Sequence, residues 1–169
     1  MRPRFVPISR EQAIECVDCR YEAPYAVYNV LATERAIEVE GMLNPESKTF
    51  AVLDGDEFIG VRSFGADGRV DGGVYDESHQ DTGGALRPDL TGKGLGESIL
   101  KAGLQFGRQD HGFTGYRVTV AAFNARALKV CQGAGFVERQ RFARSADEMG
   151  FVILTLGESI ELGSASQLE

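Results

Sequence analysis

Residues 84–96 read Gly84-Ala-Leu-Arg-Pro-Asp-Leu-Thr-Gly-Lys-Gly-Leu-Gly96, an apolar strand end, a proline turn, and then glycines at every second position. Immediately afterwards Leu95, Ile99, Ala102 and Phe106 recur at 4-3-4 spacing, which places them on one face of a helix. The first amides of a helix have no acceptor within it, and without a Cβ at Gly92, Gly94 and Gly96 a ligand can approach the backbone closely. Such a strand–loop–helix start is a cradle for a diphosphate. The glycines alone are weak evidence. A dinucleotide fingerprint would sit in a first βαβ unit, and a Walker loop would need a G-x-x-x-x-G-K-[ST] spacing that is absent.

Working outward, Arg4–Pro7 reads as a short first strand, and Ser9 with Gln12 spells a capping box for a helix over about 10–20. A second helix is expected over 24–42, with Pro24 in its first turn and Asn44-Pro45 ending it. Phe50–Leu53 and Phe58–Phe64 flank Asp54-Gly-Asp56, the pattern of a β-hairpin. Gly65–Gln80 is a polar, Gly- and Asp-rich loop, long enough to be functional or partly mobile. Strands follow over about 81–87, before the glycine loop, and over Tyr116–Ala121. Asn124 can cap a helix that turns Ala127 and Val130 inward and ends at Gly135. Strands at about 137–143 and 150–156 close the pattern. The resulting order, about seven strands and four helices with one strand–helix–strand crossover, is a mixed α/β (α+β) layout.

The length of 169 residues and 43% apolar content suit one core, so a single domain over 1–157 is expected, with a loosely held tail at 158–169. The longest apolar run is Phe151–Leu154 and the start, Met1-Arg-Pro-Arg-Phe, lacks an export-signal core, so a cytoplasmic protein with no membrane partner is expected. A net charge of −7 argues against nucleic acid and favours approach of a cationic substrate such as an amine. Cys16-Val-Asp-Cys19 spells C-x-x-C, yet with three cysteines and only His79 and His111 no second ligand pair exists, and neither a disulfide framework nor a metal site is expected.

Two segments in order, Thr91-Gly-Lys-Gly-Leu-Gly96 and Asn124 through Phe136, resemble the GNAT superfamily of acetyl-CoA-dependent N-acyltransferases, whose signatures read Q/R-x-x-G-x-G/A and N-x-x-A-x-x-x-Y-x-x-x-G-F. The resemblance covers residues 48–156 well. It implies a mostly antiparallel central sheet whose fourth and fifth strands splay around the pantetheine arm of acetyl-CoA. It further implies backbone contacts to pantetheine and thioester from Gly84, Ala85 and Leu86, and diphosphate contacts from Gly92, Lys93, Gly94, Leu95, Gly96 and Glu97. Asn124 has two readings, a helix cap and an amide reaching pantetheine. The acceptor, a small-molecule amine or a peptide amino group, would meet Tyr21, Glu22, Tyr25 and Tyr28 in the aromatic stretch Arg20–Asn29. Homodimers are frequent in the family, and a homodimer is an open expectation here.

Three positions depart from the family. Thr91 replaces Gln or Arg at the start of the loop, leaving the backbone cradle intact. Cys131 stands where many relatives carry the tyrosine that reprotonates the leaving thiolate, and is either a weak general acid or helix packing. Thr119 stands where some relatives carry a glutamate base. Asp81 and Glu22 are the alternatives, Asp81 otherwise being a solvated carboxylate at a strand entry. The implied activity is direct transfer of an acetyl group to an amine; the rival is a non-catalytic acyl-CoA-binding module on the same fold.

Overall fold

The computed structural model describes residues 1–157, and the tail expected at 158–169 lies outside the described residues. Strands β1 (Pro3–Pro7), β2 (Thr49–Asp54) and β3 (Glu57–Ser63) pair antiparallel in sequence order, the β2–β3 turn using Gly55 at φ +63°. The expected strand over 81–87 is two strands, β4 (Gln80–Asp81) and β5 (Gly83–Leu86). One residue separates them. Thr82 donates its N–H to the Arg117 carbonyl at 2.9 Å and its hydroxyl to the Ser63 carbonyl at 2.8 Å, bonding to both halves of the molecule at once. From there β5 joins β3, completing the sheet β1-β2-β3-β5. The second sheet runs β4-β6-β8-β7, from β6 (Gly115–Ala121), β8 (Gly150–Gly157) and β7 (Val137–Ala143), with β4 parallel to β6 and the rest antiparallel. Because β6 pairs with β4 only as far as Arg117, a wedge opens between β5 and the remainder of β6.

Helix α1 (Arg10–Asp18) starts on the expected capping box, with Gln12 N–H donating to Ser9 Oγ and Ser9 N–H to Gln12 Oε1. The single helix expected over 24–42 is instead a 3-10 turn at Tyr25–Tyr28 and a later helix α2 (Arg35–Leu43). The cause is Asn29. Its side-chain oxygen accepts from Tyr21 N–H at 2.7 Å and its amide donates to the Tyr21 carbonyl at 3.0 Å, closing a local loop that competes with helix formation. Helices α3 (Gly96–His111) and α4 (Ala125–Gly133) cover the other face of the sheets. Beneath α3 and α4 lie Phe64, Leu100, Leu104, Tyr116, Val118, Val120, Cys131, Phe136, Val152 and Leu154, all buried, and this cluster is the largest core. Ala51, Leu53, Phe58 and Val61 face the α1 side, packing with Cys16.

The loop after β3 is pinned rather than free. Arg69 and Arg117 both donate to Asp81, and Arg117 also reaches the Asp76 carbonyl at 2.8 Å. Tyr75 lies under both guanidinium groups, 5.5 and 5.1 Å from its ring centre, and its hydroxyl meets Thr119 Oγ1 at 2.9 Å.

Candidate active site

The wedge is lined by backbone. Arg87 N–H donates to the Ile59 carbonyl at 2.9 Å, and the antiparallel alternation with Val61 opposite Ala85 then turns the N–H and C=O groups of Gly84 and Leu86 away from β3, toward the gap. Ala85 faces the ladder instead, so Gly84 and Leu86 are the members of the expected trio whose polar groups the gap receives. Gly84 and Ala85 are exposed along this edge. Packing favours glycine at 84, since a Cβ there would lie 2.8 Å from the Val61 backbone carbonyl oxygen as well as 2.6 Å from Arg62 Cζ.

At the end of the wedge the chain passes a 3-10 turn, Pro88–Leu90, which Thr91 closes by donating its hydroxyl to the Pro88 carbonyl at 2.8 Å. Gly92 and Gly94 then take φ +73° and +79°, conformations that L side chains resist. Helix α3 begins with Leu95 as its cap and no side-chain acceptor. Among the described residues the amides of Gly94 to Ser98 find no acceptor, while Ile99 N–H is the first to enter the helix, donating to the Leu95 carbonyl. A run of uncapped amides with open space beside Gly94 fits a diphosphate. Glu97 does not oppose it, because its carboxylate is drawn back along α3 to Lys101 at 2.6 Å. Lys93 is exposed beside the loop.

A residue that the sequence reading missed completes this end. Arg126, in the first turn of α4, stacks its guanidinium 4.7 Å above the Tyr25 ring and comes within 3.7 Å of where a Cβ on Gly92 would stand. Its only sequence signal was a cation two residues after the Asn124 cap.

Three of the four expected acceptor residues gather at the mouth of the wedge, in roles fixed by hydrogen bonds and stacking. Tyr21 donates its hydroxyl to the Leu86 carbonyl at 2.6 Å, and burial pushes this phenol well above its ordinary pKa. Tyr28 stacks on Phe123 at 6.0 Å and accepts from the Asn124 amide at 3.1 Å; Tyr25 leans on the same Phe123 ring. Asn124 therefore does two jobs, since its side-chain oxygen accepts from Ala127 N–H at 3.0 Å as the α4 cap. Glu22 is exposed, and its side chain makes no hydrogen bond or ion pair among the described residues.

The two expected catalytic side chains are placed differently. Asp81 is no solvated carboxylate: it is 4% exposed, accepts from Arg117 Nε at 2.6 Å and Nη2 at 2.8 Å, and takes Arg69 Nε at 2.7 Å on the same second oxygen. Both its oxygens are engaged by guanidinium groups and the carboxylate is buried, the placement of a structural node. Cys131 packs within the main core, and burial pushes its thiol up to about 11 despite the opposing pull of Arg62. Giving its proton to a thiolate of ordinary pKa, about 8.5, would run uphill by roughly 3 kcal/mol. The geometry supports packing as its role.

The family model described as "Acetyltransferase (GNAT) family" matches residues 11–136. No curated protein sequence matches. Among solved structures, a spermidine N-acetyltransferase chimera from Vibrio cholerae and hSSAT shares 14% identity at TM-score 0.70, with 93% of this chain and 96% of that chain covered. A GNAT-family acetyltransferase from Bacillus anthracis gives 15%, 0.70, 93% and 95%. The aminoglycoside acetyltransferase AAC(6')-Ib in complex with coenzyme A gives 17%, 0.69, 92% and 94%. At these identities the neighbours establish a common fold, and the family match over most of the chain agrees with the splayed wedge and the uncapped α3 start: the chain belongs to the GNAT family of acetyltransferases.

Proposed function

We propose that this protein is an N-acetyltransferase that uses acetyl-CoA as cosubstrate and passes its acetyl group to a primary amine by direct attack. The observation that carries the reading is the continuity of the wedge with the α3 start: gap-facing backbone groups at Gly84 and Leu86 lead directly into the free amides of Gly94–Ser98. The first set suits the amides of a pantetheine arm, the second a diphosphate, with Arg126 and Lys93 adding positive charge. Solved structures of AAC(6')-Ib with coenzyme A and of spermidine N-acetyltransferase on the same fold support the choice of cosubstrate and of an amine acceptor.

In this mechanism the chain binds and orients more than it titrates. Backbone N–H groups of β5 polarise the thioester carbonyl and hold the charge that develops as the amine attacks. The acceptor enters past Tyr25 and Tyr28, and the net charge of −7 raises the local concentration of a cation. With Asp81 committed to arginines, the amine's proton leaves to solvent at the open mouth. Calorimetric titration with coenzyme A tests the binding half: no heat at millimolar ligand sinks the proposal.

A second reading has a specific observation behind it. A cysteine poorly suited to general acid catalysis and a carboxylate locked in an ion network are what a non-catalytic acyl-CoA-binding module would tolerate. Binding of coenzyme A without turnover across amines would favour that module.

A further inference from the structure

Arg62 is an anomaly. It lies in β3, directly after the apolar run Phe58–Val61, and is 9% exposed. Among the described residues no carboxylate pairs with it. Of its five N–H groups one is used, Nη1 donating to the Gly83 carbonyl at 2.9 Å, while Nε is buried with no acceptor at all. The chain makes room for it on both sides with glycine. A Cβ on Gly84 would fall 2.8 Å from Nη2, and a Cβ on Gly103 of α3 would fall 3.2 Å from Nε. Among the described residues the titratable group close enough to act on it is Cys131 of α4.

An uncompensated buried guanidinium is costly, and burial lowers its pKa to about 10. A cost of this kind persists where the charge has a task, and this charge sits against the glycine edge of the wedge, on the side where α4 places Cys131 instead of a tyrosine. We infer that Arg62 is the cation that stabilises the sulfur of coenzyme A as it leaves, doing electrostatically what a proton donor would do chemically. The inference rests on the reading above. In the step, the amine's lone pair forms the C–N bond, the C–S bond breaks with its electron pair moving to sulfur, and the amine's proton passes to solvent. Arg62 keeps its proton, and the thiolate is protonated after release.

The test reads the ligand's thiol. Ultraviolet thiolate absorbance of coenzyme A bound to the full-length Cys131→Ala protein is followed from pH 6 to 10, with desulfo-coenzyme A as the thiol-free blank, and repeated with Arg62→Gln added. The expected result is a bound thiol that ionises at least about one unit, tenfold in its equilibrium, below free coenzyme A, with Arg62→Gln abolishing the shift. Calorimetry supplies the same answer without the variant, since coenzyme A should gain on desulfo-coenzyme A by about tenfold in affinity as pH rises through 8. A bound thiol that titrates at or above the free value overturns the inference while leaving the cosubstrate reading intact. Failure of both ligands to bind overturns the cosubstrate reading and the inference with it.

Discussion

Replacing Asp81 separates a structural carboxylate from a catalytic base. Asp81→Ala removes the acceptor of two Arg117 hydrogen bonds and one Arg69 hydrogen bond. The side chains of Arg117 and Asp81 are each 4% exposed, so the variant takes from a buried cation its one buried partner, and breaking a buried pair costs about 3–5 kcal/mol. Two features blunt the loss: Arg117 keeps the Asp76 carboxylate at 3.1 Å and the Asp76 carbonyl at 2.8 Å, and Arg69, one-third exposed, can turn to solvent. The lower end of the range, about 3 kcal/mol, is therefore expected, equivalent to a fall in Tm of about 6–12 °C for a chain of this size. Urea titration should show a lower midpoint at unchanged slope. Combining Asp81→Leu with Arg117→Leu should recover part of the loss, because no charge is then left buried and unpaired. The reasoning is refuted if Asp81→Asn stays within about 1 kcal/mol of wild type while turnover collapses and the pH profile loses its lower limb, the behaviour of a general base.

Other consequences follow from the same geometry. Arg126→Ala should weaken coenzyme A binding by roughly tenfold, the value of one charge-assisted contact, and leave binding of an acetyl-pantetheine fragment, which has no diphosphate, unchanged in calorimetry. Arg62→Met should unfold at or above the wild-type temperature without ligand, since a desolvated charge is replaced by a side chain of similar reach, yet gain less from coenzyme A in a thermal shift series. Burial pushes Cys131 up to about 11 and Cys16 up to about 12, whereas thiols in the unfolded chain ionise near 8.5. The folded state holds these protons more tightly, so their contribution is intact below about pH 8 and is lost as pH rises from there toward about 11 for Cys131 and about 12 for Cys16. Urea midpoints between pH 8 and 10 should fall, and fall less steeply in Cys131→Ala.

Much of this architecture could be read from spacing. The capping box at Ser9, the hairpin around Gly55, the glycine loop and the cap at Asn124 each depend on neighbours within four residues, and local chemistry placed them correctly. The break between the 3-10 turn at Tyr25–Tyr28 and α2 depends on Asn29 reaching back eight residues to Tyr21, which periodicity does not see. The split of one strand into β4 and β5 depends on Thr82 bonding to β3 and β6 at once, a consequence of tertiary pairing.

Site residues divide the same way. Backbone contributions at the α3 start were legible because glycines at alternate positions before a helix keep its first amides open to a ligand, a local property of the chain. Side-chain roles were not, because Asp81 meets Arg117 from 36 residues away and Arg126 meets Tyr25 across the mouth of the wedge. Arg62 had one visible sign, a charge inside an apolar strand, whose meaning depends on Gly84 and Gly103 lying against it.

The central claim is tested most directly by release of free coenzyme A thiol from acetyl-CoA in the presence of a panel of primary amines, polyamines and aminoglycosides included, with wild type beside Gly94→Trp. Gly94 stands at φ +79° with open space where a Cβ would go, so a tryptophan there strains the loop and fills the diphosphate cradle. The account predicts amine-dependent release by wild type and its loss in Gly94→Trp. Release that survives Gly94→Trp unchanged, or no release with any amine from a protein that binds coenzyme A, would contradict it.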